Sequence, residues 1–313
     1  ERAPHGAREL RARRWIWYNT PMLYYLSKIL VEYWGPFRLL QSHALLLTGG
    51  TFLAAILTLL ALPRLWDRLP RDRGKALCSD LGGMKSAGKP TGAGLVVTLV
   101  ALPVILLFCP LPFWDFMTVL ALYAAMLFGY LDDRSSMPWG ELRKGLLDLA
   151  VSLAAAASIY LGHCEEGGML VWLPFLTGPV NGAFLIGPLI YIPVAAFILW
   201  FTMNATNCSD GVDGLAGSLT IIALVMLAVI LYVVVGYRPV AHYFLIPVYA
   251  EAARWAIVVM IVSGAFGAYL WWNAEPSKIL MGDAGSRFLG MLVATASLSA
   301  FRPKMSRLEA YSA

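Results

Sequence analysis

The sequence predicts an all-α fold, a polytopic bundle of membrane-spanning helices, from two observations. The chain has 313 residues, of which 59% are apolar and only 14% are charged, and its mean hydropathy is +0.68. Ordinary soluble domains have roughly 25% charged residues. In addition, eight long stretches contain no charged residue, and most are near the ~20 residues that a helix needs to cross the hydrocarbon core of a bilayer.

Each charge-free stretch predicts one span, and the shorter stretches need flanking residues to complete it. The eight predicted spans are 44–63, 90–114, 116–131, 149–164, 184–203, 214–237, 255–274 and 288–301. The fifth is the last part of a run at 167–209 that is too long for one helix. Proline and glycine residues interrupt the first part of that run, so 163–183 is predicted to be an external loop. Residues 239–250 contain two prolines and predict a short re-entrant or interfacial segment.

The chain divides into three predicted segments. Residues 1–43 are interpreted as an N-terminal extension with an interfacial segment, 44–301 as the transmembrane domain, and 302–313 as a C-terminal segment. The net charge of +5 does not predict a nucleic-acid partner. The basic residues cluster in loops between spans, where the excess of Lys and Arg on the cytoplasmic side of membrane proteins accounts for them.

The distribution of Lys and Arg also predicts the orientation of the chain. The loop at 63–91 contains seven basic residues and the loop at 132–144 contains three, so both are predicted to be cytoplasmic. Alternation of the spans then places 204–213 and 273–287 on the same side. Five aspartates in these loops are predicted to meet at one face of the bundle: Asp132, Asp133, Asp210, Asp213 and Asp283.

The stretch NATNCSDGVDG at 204–214 places polar residues between two charge-free runs. Asp213 could simply cap the helix that follows. A cap leaves Asn204, Asn207 and Asp210 unexplained, and polar residues at a membrane boundary are functional hypotheses by default. A glycine-rich approach to a helix N-terminus also offers backbone N–H groups to a phosphate.

Two further acidic motifs and one basic motif are on the same predicted face. Asp132 and Asp133 in YLDDR repel each other unless a cation, a metal or water is near, and Asp283 is in MGDAGS. Each acid alone could be only a helix terminus. In KSAGKPTGAG, Lys85 or Lys89 could contact a phosphate. Carboxylates, a divalent ion and a basic group are typical of phosphoryl transfer, and oxygen ligands without a His or Cys cluster favour Mg²⁺.

Together these motifs resemble the polyprenyl-phosphate N-acetylhexosamine-1-phosphate transferase superfamily, most closely its phospho-N-acetylmuramoyl-pentapeptide transferase branch. The resemblance covers roughly residues 22–301. It consists of a Lys-rich Gly-Pro-Thr loop, a DD pair that closes a span, N-x-x-N-x-S-D-G-x-D-G-L, and M-G-D-x-G-S at the start of a span, in that order. Ser209 before Asp210 favours the muramoyl branch, because the related GlcNAc-phosphate transferases usually have an apolar residue there.

The resemblance implies a glycosyltransferase of peptidoglycan synthesis and cell wall biogenesis in the bacterial cytoplasmic (inner) membrane. It implies transfer of phospho-MurNAc-pentapeptide from UDP to undecaprenyl phosphate, which gives lipid I and UMP. The site would be on the cytoplasmic face, with Mg²⁺ as cofactor. Residues 44–301 would then be the transferase domain, and two copies could associate as a homodimer. The family's histidine-rich loop has no counterpart here, so we expect either that about two spans are missing from the sequence or that the molecule lacks part of the family's active site.

The resemblance also implies roles for individual residues. Asp132 and Asp133 match the acidic pair that handles the lipid phosphate, and Asp283 matches the magnesium-binding acid, so these three are predicted to be catalytic. Asn207 is a predicted second contact to the metal or the diphosphate. The predicted substrate-binding residues are Lys85, Lys144, Asn204, Asn207, Asp210 and Asp213.

Two alternatives remain open from the sequence. The first is a GlcNAc-1-phosphate transferase that uses UDP-GlcNAc and undecaprenyl phosphate. The second, from another class, is a cation-coupled transporter, although transporters place their sites near the bilayer midplane and these acids are at span ends. The histidines are isolated in the sequence, and no role is assigned to them: His5, His43, His163 and His242.

Overall fold

A computed structural model of the chain describes residues 22–72, 87–135, 137, 139–164, 167–173, 176, 183–249 and 251–300. Within these residues the chain forms ten α-helices and one pair of short strands. The helices are α1 (Met22–Leu30), α2 (His43–Leu65), α3 (Ala93–Phe108), α4 (Phe113–Arg134), α5 (Glu141–His163), α6 (Pro188–Ser209), α7 (Leu215–Val229), α8 (Arg238–Tyr243), α9 (Ala252–Asn273) and α10 (Gly282–Ala300). Short 3₁₀ segments form at Gly35–Gln41 and Trp66–Arg68, and the π-helical segment Ile230–Val235 extends α7.

The described residues confirm a polytopic helical membrane protein. Six helices are long and apolar enough to span a membrane, namely α2, α4, α5, α6, α7 with its π-helical extension, and α9. The apolar helix α3 is shorter, with 16 residues. Helix is present in each of the eight predicted spans, including 288–301, where α10 ends at Ala300. The three-segment division of the chain stays a prediction, and 302–313 are outside the described residues.

The helices extend beyond several of the charge-free stretches that predicted them. Helix α5 begins at Glu141 rather than near residue 149, and α4 ends at Arg134 rather than at residue 131. A charge-free run marks only the part of a helix that hydrocarbon surrounds, whereas the helix itself continues into the polar boundary. Some charged residues predicted in loops, such as Asp132 and Lys144, are therefore on the last or first turns of helices.

The all-α prediction misses one small sheet. Strand β1 (Met169–Val171) pairs with β2 (Phe184–Ile186) in antiparallel orientation, with Leu170 opposite Leu185. The strands begin in the predicted external loop and end where the fifth span was expected to start. Helix α6 begins only at Pro188, because proline fits the first turn of a helix, where its missing N–H is not needed.

Helices α9 and α10 are the most deeply buried of the described helices, and α9 packs against α2, α3 and α7. Helix α10 packs against α3, α4, α6 and α7. Gly94 of α3 and Gly285 of α10 meet so closely that a Cβ on Gly94 would overlap the backbone of Gly285, and a Cβ on Gly285 would lie only 3.0 Å from the Cα of Gly94. Small residues permit such close crossings in membrane bundles. The crossing brings the N-termini of α3 and α10 together at one end of the bundle, which we call the acidic end.

A buried polar network is present at the other end of the bundle. His163 Nε2 lies 2.9 Å from Asp115 Oδ1, and the hydroxyl of Tyr249 lies 3.2 Å from His163 Nδ1. Arg254 Nη2 lies 3.0 Å from Glu251 Oε2 and 3.8 Å from Asp115 Oδ2. The sequence did not show these contacts of His163, because the residues that contact it are distant in sequence and come together only in the bundle.

Replacement of His163 by Ala should lower stability. Asp115 is 3% exposed and would lose its hydrogen bond to His163, and loss of a partner from a buried polar group costs about 1–3 kcal/mol. We expect the melting temperature of the purified protein in detergent to fall by several degrees. His242→Ala is the matched control, because His242 is exposed. Equal melting temperatures for both variants and the wild type would show that the network does not stabilise the bundle.

Candidate active site

Asp133 joins the end of α4 to the start of α10. Its Oδ1 accepts a hydrogen bond from the backbone N–H of Asp283 at 3.2 Å, and its Oδ2 accepts one from the N–H of Ala284 at 3.3 Å. The first N–H groups of a helix have no partner within that helix. Asp133 therefore caps α10 from a neighbouring helix, and this contact fixes the position of Asp283.

Gly282 permits this close approach. Its φ is +71°, in the left-handed region, and a Cβ at this position would overlap Asp133 Oδ2. Only glycine adopts this conformation readily. The first glycine in MGDAGS, Gly282, is therefore required by the backbone conformation and by the contact with Asp133, which the sequence alone did not show.

Lys144 connects the two acids that were predicted to be catalytic. Its Nζ lies 2.7 Å from Asp132 Oδ2 and 3.9 Å from Asp283 Oδ2. The backbone N–H of Trp139 donates to Asp132 Oδ1 at 2.8 Å. The structure thus brings together four of the predicted site residues, which we call the acidic cluster: Asp132, Asp133, Lys144 and Asp283.

Two charged residues that the sequence analysis did not consider are directly behind this cluster. Arg287 contacts both Asp148 and Asp283. Arg287 is four positions after Asp283, and Asp148 is four positions after Lys144, so each is on the same helix face as a predicted site residue. That spacing, directly before the predicted spans 149–164 and 288–301, was the available indication.

A second polar group forms around Asp213. Lys89 Nζ lies 3.3 Å from Asp213 Oδ2 and 2.7 Å from Ser277 Oγ, and the N–H of Ser277 lies 3.4 Å from Asp213 Oδ2. Partial burial raises the pKa of Asp213, but the hydrogen bonds from Ser277 and the ammonium of Lys89 outweigh it and hold that pKa below its ordinary value. Asp213 is therefore ionised at neutral pH.

Backbone pairing connects this group to the acidic cluster. The N–H of Leu280 donates to the carbonyl of Pro90 at 2.8 Å, and the N–H of Ala93 donates to the carbonyl of Leu280 at 3.1 Å. The buried Asn273 accepts a hydrogen bond from the N–H of Gly214 and donates one to the carbonyl of Ile279. The segments before α3, before α7 and before α10 are thereby held together at the acidic end.

The remaining predicted residues fall into three groups. Asn204 donates to the carbonyl of Trp200 and interacts with the buried Asp148. Asn207 and Asp210 are half-buried at the C-terminal end of α6, and no hydrogen bond from the Asn207 side chain is found within the described residues. Lys85 is outside the described residues, and Lys89 is the lysine of that motif that the structure shows in contact with an acid.

The acidic cluster fits Mg²⁺ by its donor chemistry. Within the described part of the chain, no three His, Cys, Asp or Glu side chains are grouped closely enough to hold a metal alone. Mg²⁺ usually binds one or two carboxylates and takes its other ligands from water and substrate phosphates. Asp283, with 27% of its side chain exposed, is a carboxylate that a cation and its water ligands could reach.

Comparisons with known proteins agree with these motifs. The profile of glycosyl transferase family 4 matches residues 116–301, which is more than half of the chain. A phospho-N-acetylmuramoyl-pentapeptide-transferase of Treponema pallidum (strain Nichols) is 39% identical over 292 residues, which cover 92% of this chain and 78% of the relative. Proteins of the same name from Clostridium botulinum (strain Alaska E43 / Type E3) and Aquifex aeolicus (strain VF5) are 32% identical over 223 residues and 27% identical over 292 residues. The first covers 69% of this chain and 61% of the relative, and the second covers 88% and 78%. The chain therefore belongs to glycosyl transferase family 4 and, within it, to the phospho-N-acetylmuramoyl-pentapeptide-transferase family.

Proposed function

We propose that this protein transfers phospho-MurNAc-pentapeptide from UDP to undecaprenyl phosphate, forming lipid I and releasing UMP in peptidoglycan synthesis. The single observation that carries the proposal is the 39% identity over 292 residues to a Treponema pallidum protein of that name. The acidic cluster supports it, because carboxylates beside a lysine at a membrane boundary suit phosphoryl transfer between a lipid phosphate and a soluble nucleotide.

The same proposal places the acidic end at the cytoplasmic face of a bacterial membrane. The loops at this end contain most of the basic residues between spans, which favours the cytoplasmic side. A polyprenyl phosphate would present its phosphate at this boundary from the lipid side. The sugar nucleotide would enter from the aqueous side, where Asp213 and Lys89 are partly exposed.

Asp132 is the proposed general base. An oxygen of the lipid phosphate attacks the β-phosphorus of the UDP-sugar, the bond from that phosphorus to the UMP oxygen breaks, and the lipid phosphate proton passes to Asp132. Both oxygens of Asp133 accept hydrogen bonds from fixed backbone N–H groups, so its role is to orient Asp283. Asp132 has only one oxygen held by a backbone N–H group, that of Trp139, and its other oxygen is paired with the flexible side chain of Lys144, which could turn to the substrate phosphate and free that oxygen.

Asp283 and Asn207 are the residues that would hold Mg²⁺. Asp283 is the most accessible carboxylate of those that Lys144 and Arg287 contact, with 27% of its side chain exposed. When bound, Mg²⁺ would supply positive charge to the diphosphate oxygens. Lys144 would supply a second positive charge, because its ammonium is close to both Asp132 and Asp283.

Lys89 is proposed to hold the nucleotide side of the site together with Asp213. We expect Lys89→Met to raise KM for the UDP-sugar about tenfold and to change kcat little, because loss of a charged contact made equally before and during reaction weakens binding only. Arg71→Met is the control, since Arg71 is in the same loop with 53% of its side chain exposed. A fall in kcat at unchanged KM would place Lys89 in the chemical step instead.

One assay tests the proposed function. Purified protein is given undecaprenyl phosphate, Mg²⁺ and either UDP-MurNAc-pentapeptide or UDP-GlcNAc, and UMP release is measured. The proposal expects release with the pentapeptide donor and little with UDP-GlcNAc. The opposite preference would identify a GlcNAc-1-phosphate transferase, and release from neither donor would reject the transferase assignment. Mass measurement in lipid nanodiscs would test the proposed homodimer.

A further inference from the structure

A buried ion pair links α5 and α10 directly behind the acidic cluster. Arg287 Nη1 lies 2.5 Å from Asp148 Oδ1, and Arg287 Nη2 lies 3.3 Å from Asp283 Oδ2. Arg287 is 4% exposed and Asp148 is 1% exposed, whereas 27% of the Asp283 side chain is exposed. One guanidinium therefore joins a fully buried carboxylate to an accessible one.

Stability alone does not explain a charged pair in this place. Removal of two charges from water is costly, and replacement of a buried ion pair by apolar side chains of similar volume is often neutral or stabilising. Phe288 and Leu289, which follow Arg287 on α10, are 1% and 0% exposed, so apolar residues are accommodated at this level of the helix. The charges therefore point to a role in the acidic cluster next to them.

The contacts form a row of alternating charge. In order, the row is Asp132, Lys144, Asp283, Arg287 and Asp148, and each side chain lies within 3.9 Å of the next. The last member is the most buried, so it has the least freedom to move. Asp148 therefore restrains Arg287, and Arg287 in turn restrains the accessible carboxylate of Asp283.

We propose that Arg287, held in place by Asp148, is a positioning residue that fixes the Asp283 carboxylate before metal and substrate bind. This inference rests on the proposed function, because it takes Asp283 as the residue that would hold Mg²⁺. The rigid planar guanidinium can direct one N–H group to each carboxylate, which a single flexible ammonium does less well. Asp148 also balances the charge of Arg287, so Asp283 keeps its attraction for a cation.

The test uses Mn²⁺ as a paramagnetic probe on the purified full chain, with binding measured by electron paramagnetic resonance without substrates. The double variant R287M/D148L removes both charges and fills the space with apolar side chains. We expect its melting temperature to equal or exceed that of the wild type. We expect its Kd for Mn²⁺ to rise about 10- to 100-fold, as is typical when the groups that orient a metal ligand are lost.

Two single variants keep the test decisive if the double variant does not fold. Asp148→Asn preserves the shape of the side chain but removes its negative charge. Of the two carboxylates that Arg287 contacts, only Asp283 then balances its positive charge, so the Mn²⁺ Kd should rise about tenfold. Arg287→Lys should give an intermediate Kd for Mn²⁺, because the lysine ammonium retains the positive charge but lacks the planar, forked N–H groups of a guanidinium. Ser152→Ala is the matched control, because Ser152 is a fully buried polar residue one turn beyond Asp148 on α5, and its Kd should match the wild type.

The same variants separate positioning from simple packing. The Mg²⁺ concentration for half-maximal UMP release should rise in parallel with the Mn²⁺ Kd, and KM for the UDP-sugar should change little. Wild-type Kd values in Asp148→Asn and in the double variant would overturn the inference, as would a wild-type protein that binds no Mn²⁺. Failure of the proposed function would look different, since no donor would release UMP while Mn²⁺ binding still depended on Arg287.

Discussion

Asp283→Ala should reduce UMP release at least about 10³-fold while the protein stays folded. The lost carboxylate is the accessible one of the acidic cluster, and loss of metal-assisted charge stabilisation costs several kcal/mol in the transition state. The fold should survive, because the backbone N–H of residue 283 keeps its hydrogen bond to Asp133 and Arg287 keeps its contact with Asp148. Initial rates at saturating Mg²⁺ and the melting temperature measure the two effects separately.

The matched control for this variant is Asp67→Ala. Asp67 is also paired with an arginine four positions away, but 77% of its side chain is exposed and it is outside the cluster. Exposed ion pairs contribute little to stability, so this variant should keep the wild-type rate and melting temperature. Near-normal turnover of Asp283→Ala at saturating Mg²⁺ would rule out the proposed metal role.

The sequence predicted the parts of this fold that depend on local hydrophobicity. Charge-free stretches located a helix in each of eight places. The alternation of the spans across the membrane predicted that the acids of YLDDR and MGDAGS are at the same end of the bundle. The contact of Asp133 with the start of α10 agrees with that prediction. Their roles in catalysis stay predictions until the variants are measured.

What the sequence could not show depends on contacts between distant segments. His163 appeared isolated because its partner Asp115 begins a different helix, and no local pattern links the two. Arg287 and Asp148 are in apolar surroundings, where a charge suggests a partner but not which one. The short β1–β2 pair is also a contact between separate segments, and its apolar residues resemble the start of a span.

Asp132→Asn should slow transfer by about 10²- to 10⁴-fold below pH 6, where the lipid phosphate keeps its second proton and a positioned base makes its usual contribution. Asn cannot accept the proton of the lipid phosphate. A phosphate monoester loses its second proton near pH 6, so at alkaline pH the lipid phosphate becomes a dianion unaided. The variant should therefore lose most rate at low pH and recover part of it as the pH rises, while the wild type gains less over the same range.

Asp133→Asn separates this role from that of its neighbour. Asp133 accepts hydrogen bonds from two backbone N–H groups at the start of α10, so its loss should weaken a helix cap by about 1 kcal/mol and lower the rate without recovery at high pH.

A covalent role for Asp132 predicts different results from a general-base role. A nucleophilic carboxylate would release UMP from the UDP-sugar without any lipid acceptor, and alkaline pH could not rescue Asn. A burst of UMP from enzyme and nucleotide alone would therefore reject the general-base role, whereas pH-dependent recovery of Asp132→Asn alone would support it.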